Sequence, residues 1–323
     1  MAIEKTSTVP AGTLPYSNKL AAMMILQAVE DRFTIGQHPA IVDLSEVSDQ
    51  LQGVQGMTLA GTFSLQIEDS TALWAATNEA TAVSTPTDID PTYVNISVTN
   101  YDVAYAVTDE LRRRDVTGEY NWARIAPRIV RGWQYTETST ILALADSMTN
   151  IAGAAADPTS WDTIRESKNE VEQNGKNPIG DFMCVLHTNQ WALVAADIES
   201  RGGAIQMRRE LDAAQAAGMG NYKGSYDGID FFVSDRVPVA GGVYSGMMVA
   251  PGGVGYLNID QAEPTPSMVV VLEVRRPGGG LALVIEEARD ADNKNVKWIG
   301  AKSYGATIVK QALCCRVRGT GRA

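Results

Sequence analysis

Apolar and polar positions along the chain follow two periods, and the change from one to the other divides it. Between Tyr93 and Val107 the apolar side chains Tyr93, Val94, Ile96, Val98, Tyr101, Val103, Tyr105 and Val107 fall mainly on every second position. That is the spacing of a strand with one face buried, so the stretch predicts a pair of strands or one long strand with a bend. Further on, Trp122, Ile125, Ile129, Trp133, Ile141, Leu144, Ala145 and Met148 recur at steps of three and four. This stripe predicts the longest helix, from about Tyr120 to Met148, with a weak centre at Thr136–Thr140. Pro127 disturbs its start: either a short turn precedes a main helix beginning near Ala126, or the helix kinks there.

The remaining elements follow from the same reading. Met1–Gly12 is polar with small residues, and Tyr16–Phe33 carries Leu20, Met23, Met24, Leu26, Ala28 and Val29 on a short helix, so residues 1–52 read as a tethered arm. Residues 53–99 break into short alternating stretches such as Thr58–Leu65, which fit strands with an extended loop. After the stop at Asp157-Pro158-Thr159-Ser160, helices and strands alternate. Trp161–Gln173 is predicted helical, Phe182–His187 a buried strand, and Thr188–Ile198 a helix capped by Thr188 or Asn189. Gly202–Gly224 reads as a loop around a short helix, and Gly228–Val233 and Tyr244–Val249 as strands. Met268–Arg275 and Leu281–Glu287 bracket Arg276-Pro277-Gly278-Gly279-Gly280 as a hairpin, and Lys297–Val317 continues the alternation.

Composition narrows the class. At 323 residues the chain exceeds what one core needs, so two lobes or long extensions are expected. No apolar run reaches the roughly 20 residues of a bilayer crossing, and Met1–Pro10 lacks the basic start of a secretory signal, so the chain reads as soluble and cytoplasmic when made. A net charge of −11 argues against a DNA reader, whose affinity comes mainly from phosphate neutralisation, yet suits a vessel wall that does not cling to DNA. Cys184, Cys314 and Cys315 cannot all pair, and on a strand Cys314 and Cys315 point to opposite faces, so free thiols are expected.

No catalytic, cofactor-binding or metal residues are assigned. The two histidines, His38 and His187, have neither ligand spacing nor neighbouring thiols and read as structural. Pro251-Gly252-Gly253-Val254-Gly255 and Gly278-Gly279-Gly280 lack the Lys-Ser or Lys-Thr of a phosphate loop and read as turns. No serine stands in a nucleophile elbow. Charge is more informative: residues 54–99 contain Glu68, Asp69, Glu79, Asp88 and Asp90 with no Lys, Arg or His. So long a segment with few large apolar residues does not build a core and must lie against another surface. Arg112, Arg113 and Arg114, with Arg124, Arg128 and Arg131 on the following helix, form the strongest charge cluster. They are either a solvated face balanced by Asp109, Glu110 and Asp115, or the surface that receives a neighbouring subunit's acidic loop.

The order of elements resembles the major capsid proteins of tailed bacteriophages. The resemblance rests on Val107-Thr108-Asp109-Glu110-Leu111-Arg112 before the long helix, on Gly224–Pro238 with its apolar strand, Ser234-Asp235 and Val237-Pro238, and on Gly246–Gly255. It covers about Gly53 to the C-terminus. It implies the α+β Hong Kong 97-like fold: an N-terminal arm (1–52), an extended β-hairpin loop (53–99) and a peripheral domain with a long spine helix (100–157 and 265–307). An axial α/β domain (158–264) with a last strand in 308–323 completes it. It further implies a homo-oligomer of pentamers and hexamers in an icosahedral virion capsid, enclosing double-stranded DNA without sequence-specific binding and assembled in the bacterial cytoplasm. Portal, cement and separate scaffold proteins are the expected partners, and no membrane or cofactor is. Leu73 and Trp74 would anchor the loop on the neighbour while its acids steer. No lysine lies between Lys19 and Lys168, so the loop offers none for a covalent cross-link, and the fifty-odd residues before Gly53 leave no room for a fused scaffold. An encapsulin shell around cargo protein is the nearest rival; a hydrolase and a surface-layer or adhesin protein are more distant ones.

Overall fold

The computed structural model describes residues 35, 38, 40–44, 61–67, 92–108, 110, 132–133, 135–176, 178–201, 221–259, 269–275, 281–290 and 295–322. In chain order the strands begin with β1 (Ile41–Asp43), β2 (Gly61–Ile67), β3 (Thr92–Thr108), β4 (Ile151–Ala152) and β5 (Phe182–Leu186). They continue with β6 (Tyr222–Tyr226), β7 (Ile229–Val233), β8 (Val239–Ala240), β9 (Val243–Val249) and β10 (Val254–Ile259). β11 (Val269–Arg275), β12 (Leu281–Asp290), β13 (Asn295–Ile308) and β14 (Cys314–Thr320) complete them, and helices α1 (Trp161–Asn174) and α2 (Thr188–Ser200) flank β5. Among the described residues the strands form two sheets of seven. Sheet one orders β1-β10-β13-β12-β11, with β3 also on β13 and β2 on β3; sheet two orders β4-β14-β9-β5-β7-β6, with β8 on β9.

Sheet two is covered on both faces, which explains the unbroken apolar run of β5. Phe182, Cys184 and Leu186 point into a core with Trp161, Ile164 and Val171 of α1 and Val194 and Ile198 of α2. Met183 and Val185 point the other way, with Met247, Val249 and Phe232, toward Ile141, Leu142 and Ala145. Cys314 joins this second core and Cys315 the first, so the adjacent thiols face opposite ways as their strand requires. All three cysteines are free and buried.

The long helix is seen at residues 132–133 and 135–143 and tightens into a 3-10 turn at Leu144–Ser147, with Met148 extended beyond it. Through its threonine-rich part the hydroxyls bond back one turn instead of to distant partners: Thr136 Oγ1 donates to Gly132 O, Ser139 Oγ to Tyr135 O and Thr140 Oγ1 to Thr136 O, at 2.7–2.9 Å. The cap of α2 differs from expectation. His187, rather than Thr188 or Asn189, is the N-cap; its Nδ1 accepts from Asn189 N at 3.1 Å, while Gln190 Oε1 accepts from His187 N at 3.2 Å. Thr188 is drawn away to Asp235, and the Asn189 amide donates to Tyr244 Oη at 2.8 Å.

Residues 254–259, read from sequence with the 158–264 lobe, pair instead with β13 of sheet one. An apolar alternating stretch records that it is a strand and not which sheet it joins. The turn that hands the chain over is held at a waist between the sheets. Ala250 N donates to Leu313 O at 2.9 Å, and Val309 N and Lys310 N donate to Gly253 O at 2.8 and 3.2 Å. Gly253 is required there, since a Cβ would lie 2.9 Å from Leu313 O and 2.8 Å from Cys314 Sγ. The end of the long helix joins the same waist: Asn150 Nδ2 donates to Gln311 O and Cys314 O, and Arg316 Nη2 meets Asp146 Oδ1 at 2.6 Å.

Candidate functional site

The twelve expected contact residues, Glu68, Asp69, Leu73, Trp74, Glu79, Asp88, Arg112, Arg113, Arg114, Arg124, Arg128 and Arg131, lie outside the described residues, so what they touch is not part of the fold given above. What is described is the root of the hairpin that carries the acids. β2 pairs antiparallel with the first part of β3, Gly61 opposite Val98 through Ile67 opposite Thr92. The second part of β3, Thr99–Thr108, pairs antiparallel with β13. One strand of 17 residues therefore belongs to both hairpin and sheet, a span of about 56 Å at strand rise. Along its outer part Ile96 and Val98 are buried while Asn95, Ser97 and Thr99 are exposed, the one-sided pattern that the alternation predicts.

The root is fixed by close approach. A Cβ on Gly305 would stand 2.2 Å from Ser97 O, so only glycine lets β13 pass the hairpin strand at that point. Thr307 Oγ1 donates to Asn95 O at 3.0 Å, and Ser303 Oγ donates to Asn100 Oδ1. Tyr304 stacks on Tyr101 with centroids 4.4 Å apart, and Lys302 Nζ reaches Glu137 Oε2 at 3.5 Å, both side chains largely buried. These contacts run hairpin to β13 to long helix. Sequence reasoning missed them; the isolated glycine after Tyr304 in an alternating stretch is the signal that marks such an approach.

Chemistry among the described side chains is muted. Burial pushes the Cys314 and Cys315 thiols up to about 12 and the Cys184 thiol higher still, so none is a thiolate nucleophile near neutrality. Burial lowers the proton affinity of His187, with the Asp235 carboxylate acting against it. Among the described residues no group of three His, Cys, Asp or Glu side chains is placed to hold a metal ion, and no helix is long and apolar enough to cross a membrane. The surface carries apolar side chains instead. Ile179 is 95% exposed, with Tyr135, Ile151 and Val239 about half exposed, and Arg236 covers the Tyr135 ring at 4.5 Å.

No protein-family model matches the chain, and no curated protein matches it in sequence. Solved structures do share its architecture. The capsid of Ralstonia phage GP4 aligns with a TM-score of 0.59 at 9% identity over 91% of each chain. The capsid of an empty GTA particle computed with C5 symmetry aligns at 0.53 and 12% identity over 99% of this chain and 96% of that one. A Mycobacterium phage Che8 structure aligns at 0.51 and 14% identity over 88% and 91%. The class that this topology defines is a mixed α+β architecture, the one these solved structures share. The chain has the Hong Kong 97-like fold.

Proposed function

We propose that the chain is a major capsid protein of a tailed bacteriophage or a phage-like particle, an architectural subunit that assembles with copies of itself into a closed shell. The observation that carries the reading is whole-chain: the likeness to the GP4 phage and GTA-particle capsids extends over at least 91% of both partners. The sequence supports it independently, through the non-basic loop and the arginine cluster. In this reading pentamers and hexamers tile an icosahedral virion shell around DNA. Each hairpin lies over the next subunit, Glu68, Asp69, Glu79 and Asp88 steering toward Arg112, Arg113, Arg114, Arg124, Arg128 and Arg131 there, and Leu73 and Trp74 anchoring. Burial then accumulates over several obligate contacts, commonly 2,000 Å² or more each, and closed symmetry turns them into a lasting container. Assembly in the host cytoplasm with a portal and separate scaffold or cement proteins belongs to the same reading.

Negative-stain microscopy of the purified protein is the direct test. Closed shells of uniform diameter are the expected result, and a small soluble oligomer under all assembly conditions overturns it. Reversing the charge of Arg112, Arg113 and Arg114 together should abolish shells while leaving the subunit folded by circular dichroism. Normal shells from that variant remove the arginines from the contact.

A further inference from the structure

Part of the N-terminal arm is built into both sheets of its own subunit. On one side β1 extends sheet one, pairing parallel with β10 as Ile41 opposite Val254 through Asp43 opposite Tyr256, and Leu44 N donates to Tyr256 O at 2.8 Å. On the other side His38, only 3% exposed, reaches sheet two: its Nε2 lies 3.0 Å from Asp230 Oδ2 on β7, and its ring meets Phe232 edge-on at 5.5 Å. His38 Nδ1 accepts from Ala40 N at 3.1 Å, so the ring proton sits on Nε2 and is donated to the carboxylate. Tyr222 Oη on β6 donates to Asp230 Oδ1 at 3.1 Å, which fixes the carboxylate from its far side. Burial pushes the Asp230 carboxyl up, and the bonds from His38 and Tyr222 outweigh it, leaving it ionised to lower pH than an ordinary carboxylate. Ile35, Ala40 and Ile41 fill the core between the sheets together with Met183, Val185 and Val254.

His38 thus bonds to one sheet and Ile41–Leu44 to the other, with apolar side chains wedged between. Among the described residues the chain itself crosses directly between the sheets at 250–253 and 309–313, whereas this connection is made of side chains and ladder bonds that can open. We propose that Ile35, His38 and Ala40–Leu44 form a strap that holds the two sheets at a fixed angle, with the His38–Asp230 bond as its buckle. Opening the buckle lets the sheets rock about the waist while each remains folded. The proposal stands on the geometry of the single chain and is independent of what the assembled protein encloses.

The test uses the full chain with spin labels on Ala106→Cys in β3 and Val239→Cys in β8, both exposed, the native thiols being buried. His38→Ala should broaden the interspin distance distribution about twofold and speed hydrogen exchange at Ala40, Ile41 and Leu44 by about tenfold, with β5, β7 and β9 unchanged. His38→Asn, which still accepts from Ala40 N but loses the reach to Asp230 and the ring contact with Phe232, should broaden the distribution likewise and speed exchange at Ile41 and Leu44, and serves if the alanine variant does not fold. Asp230→Asn keeps an acceptor for Nε2–H and should match the unsubstituted protein in both readouts. The proposal is overturned by an unchanged distance distribution in His38→Ala and His38→Asn, by strap amides that stay protected, or by exchange that rises equally through sheet two.

Discussion

Strand β5 and the outer part of β3 are both short apolar stretches, yet they are stabilised in different ways. All five residues of β5 are buried, alternately into the core under α1 and α2 and into the core under the long helix. In β3 only Ile96 and Val98 are buried over residues 95–100, and the intervening side chains face outward. A strand enclosed on both faces carries its own stabilisation, while a two-stranded ribbon with one face covered does not stand alone in water and leans on what lies beneath it. Here β13 lies beneath, and in the shell reading the adjacent subunit covers the rest.

Three measurements would break or sharpen that contrast. Phe231→Ala opens a cavity in the fully enclosed core and should cost about 3–5 kcal/mol in urea unfolding, lowering the stability of the whole of sheet two. A loss under about 1 kcal/mol would mean that sheet two is not the self-sufficient unit. Ile96→Ala removes an equally buried side chain from the hairpin root and should cost about 2 kcal/mol, the low end for such a change, because the ribbon can relax. Its signature is faster hydrogen exchange in β2 and the first half of β3 with β5 unaffected; equal exchange in both would erase the distinction. The smallest effect belongs to the His187 cap of α2. Because burial depresses its folded-state proton affinity, the stability from this cap is complete above the ordinary histidine value of 6.5. It declines as pH falls from there through the lower folded value and is flat below it. His187→Asn, which keeps an acceptor, should remove this step from the pH–stability curve.

The parts of the fold legible in sequence are those fixed by local period. Phe182–Leu186 could hardly be other than a buried strand, the alternation from Tyr93 announced β3, and adjacency alone placed Cys314 and Cys315 on opposite faces. Partnership was less legible. The passage of β10 into sheet one, the seat of Ile35, His38 and Ala40 between the sheets, and the close pass at Gly305 depend on residues far away in sequence. His187 escaped notice as a cap because an imidazole nitrogen takes a role usually filled by a hydroxyl or carboxylate oxygen. The candidate contact surface rests on charge pattern alone, and its acids and arginines lie outside the described residues, so it stays a proposal.

The continuity of β3 has a mechanical consequence. Ten residue pairs, Thr99 opposite Tyr304 through Thr108 opposite Asn295, bind its inner half to β13, and the same backbone runs outward into the ribbon without a joint. Tension on the ribbon along its axis is therefore borne as shear by many rungs at once instead of being peeled away rung by rung.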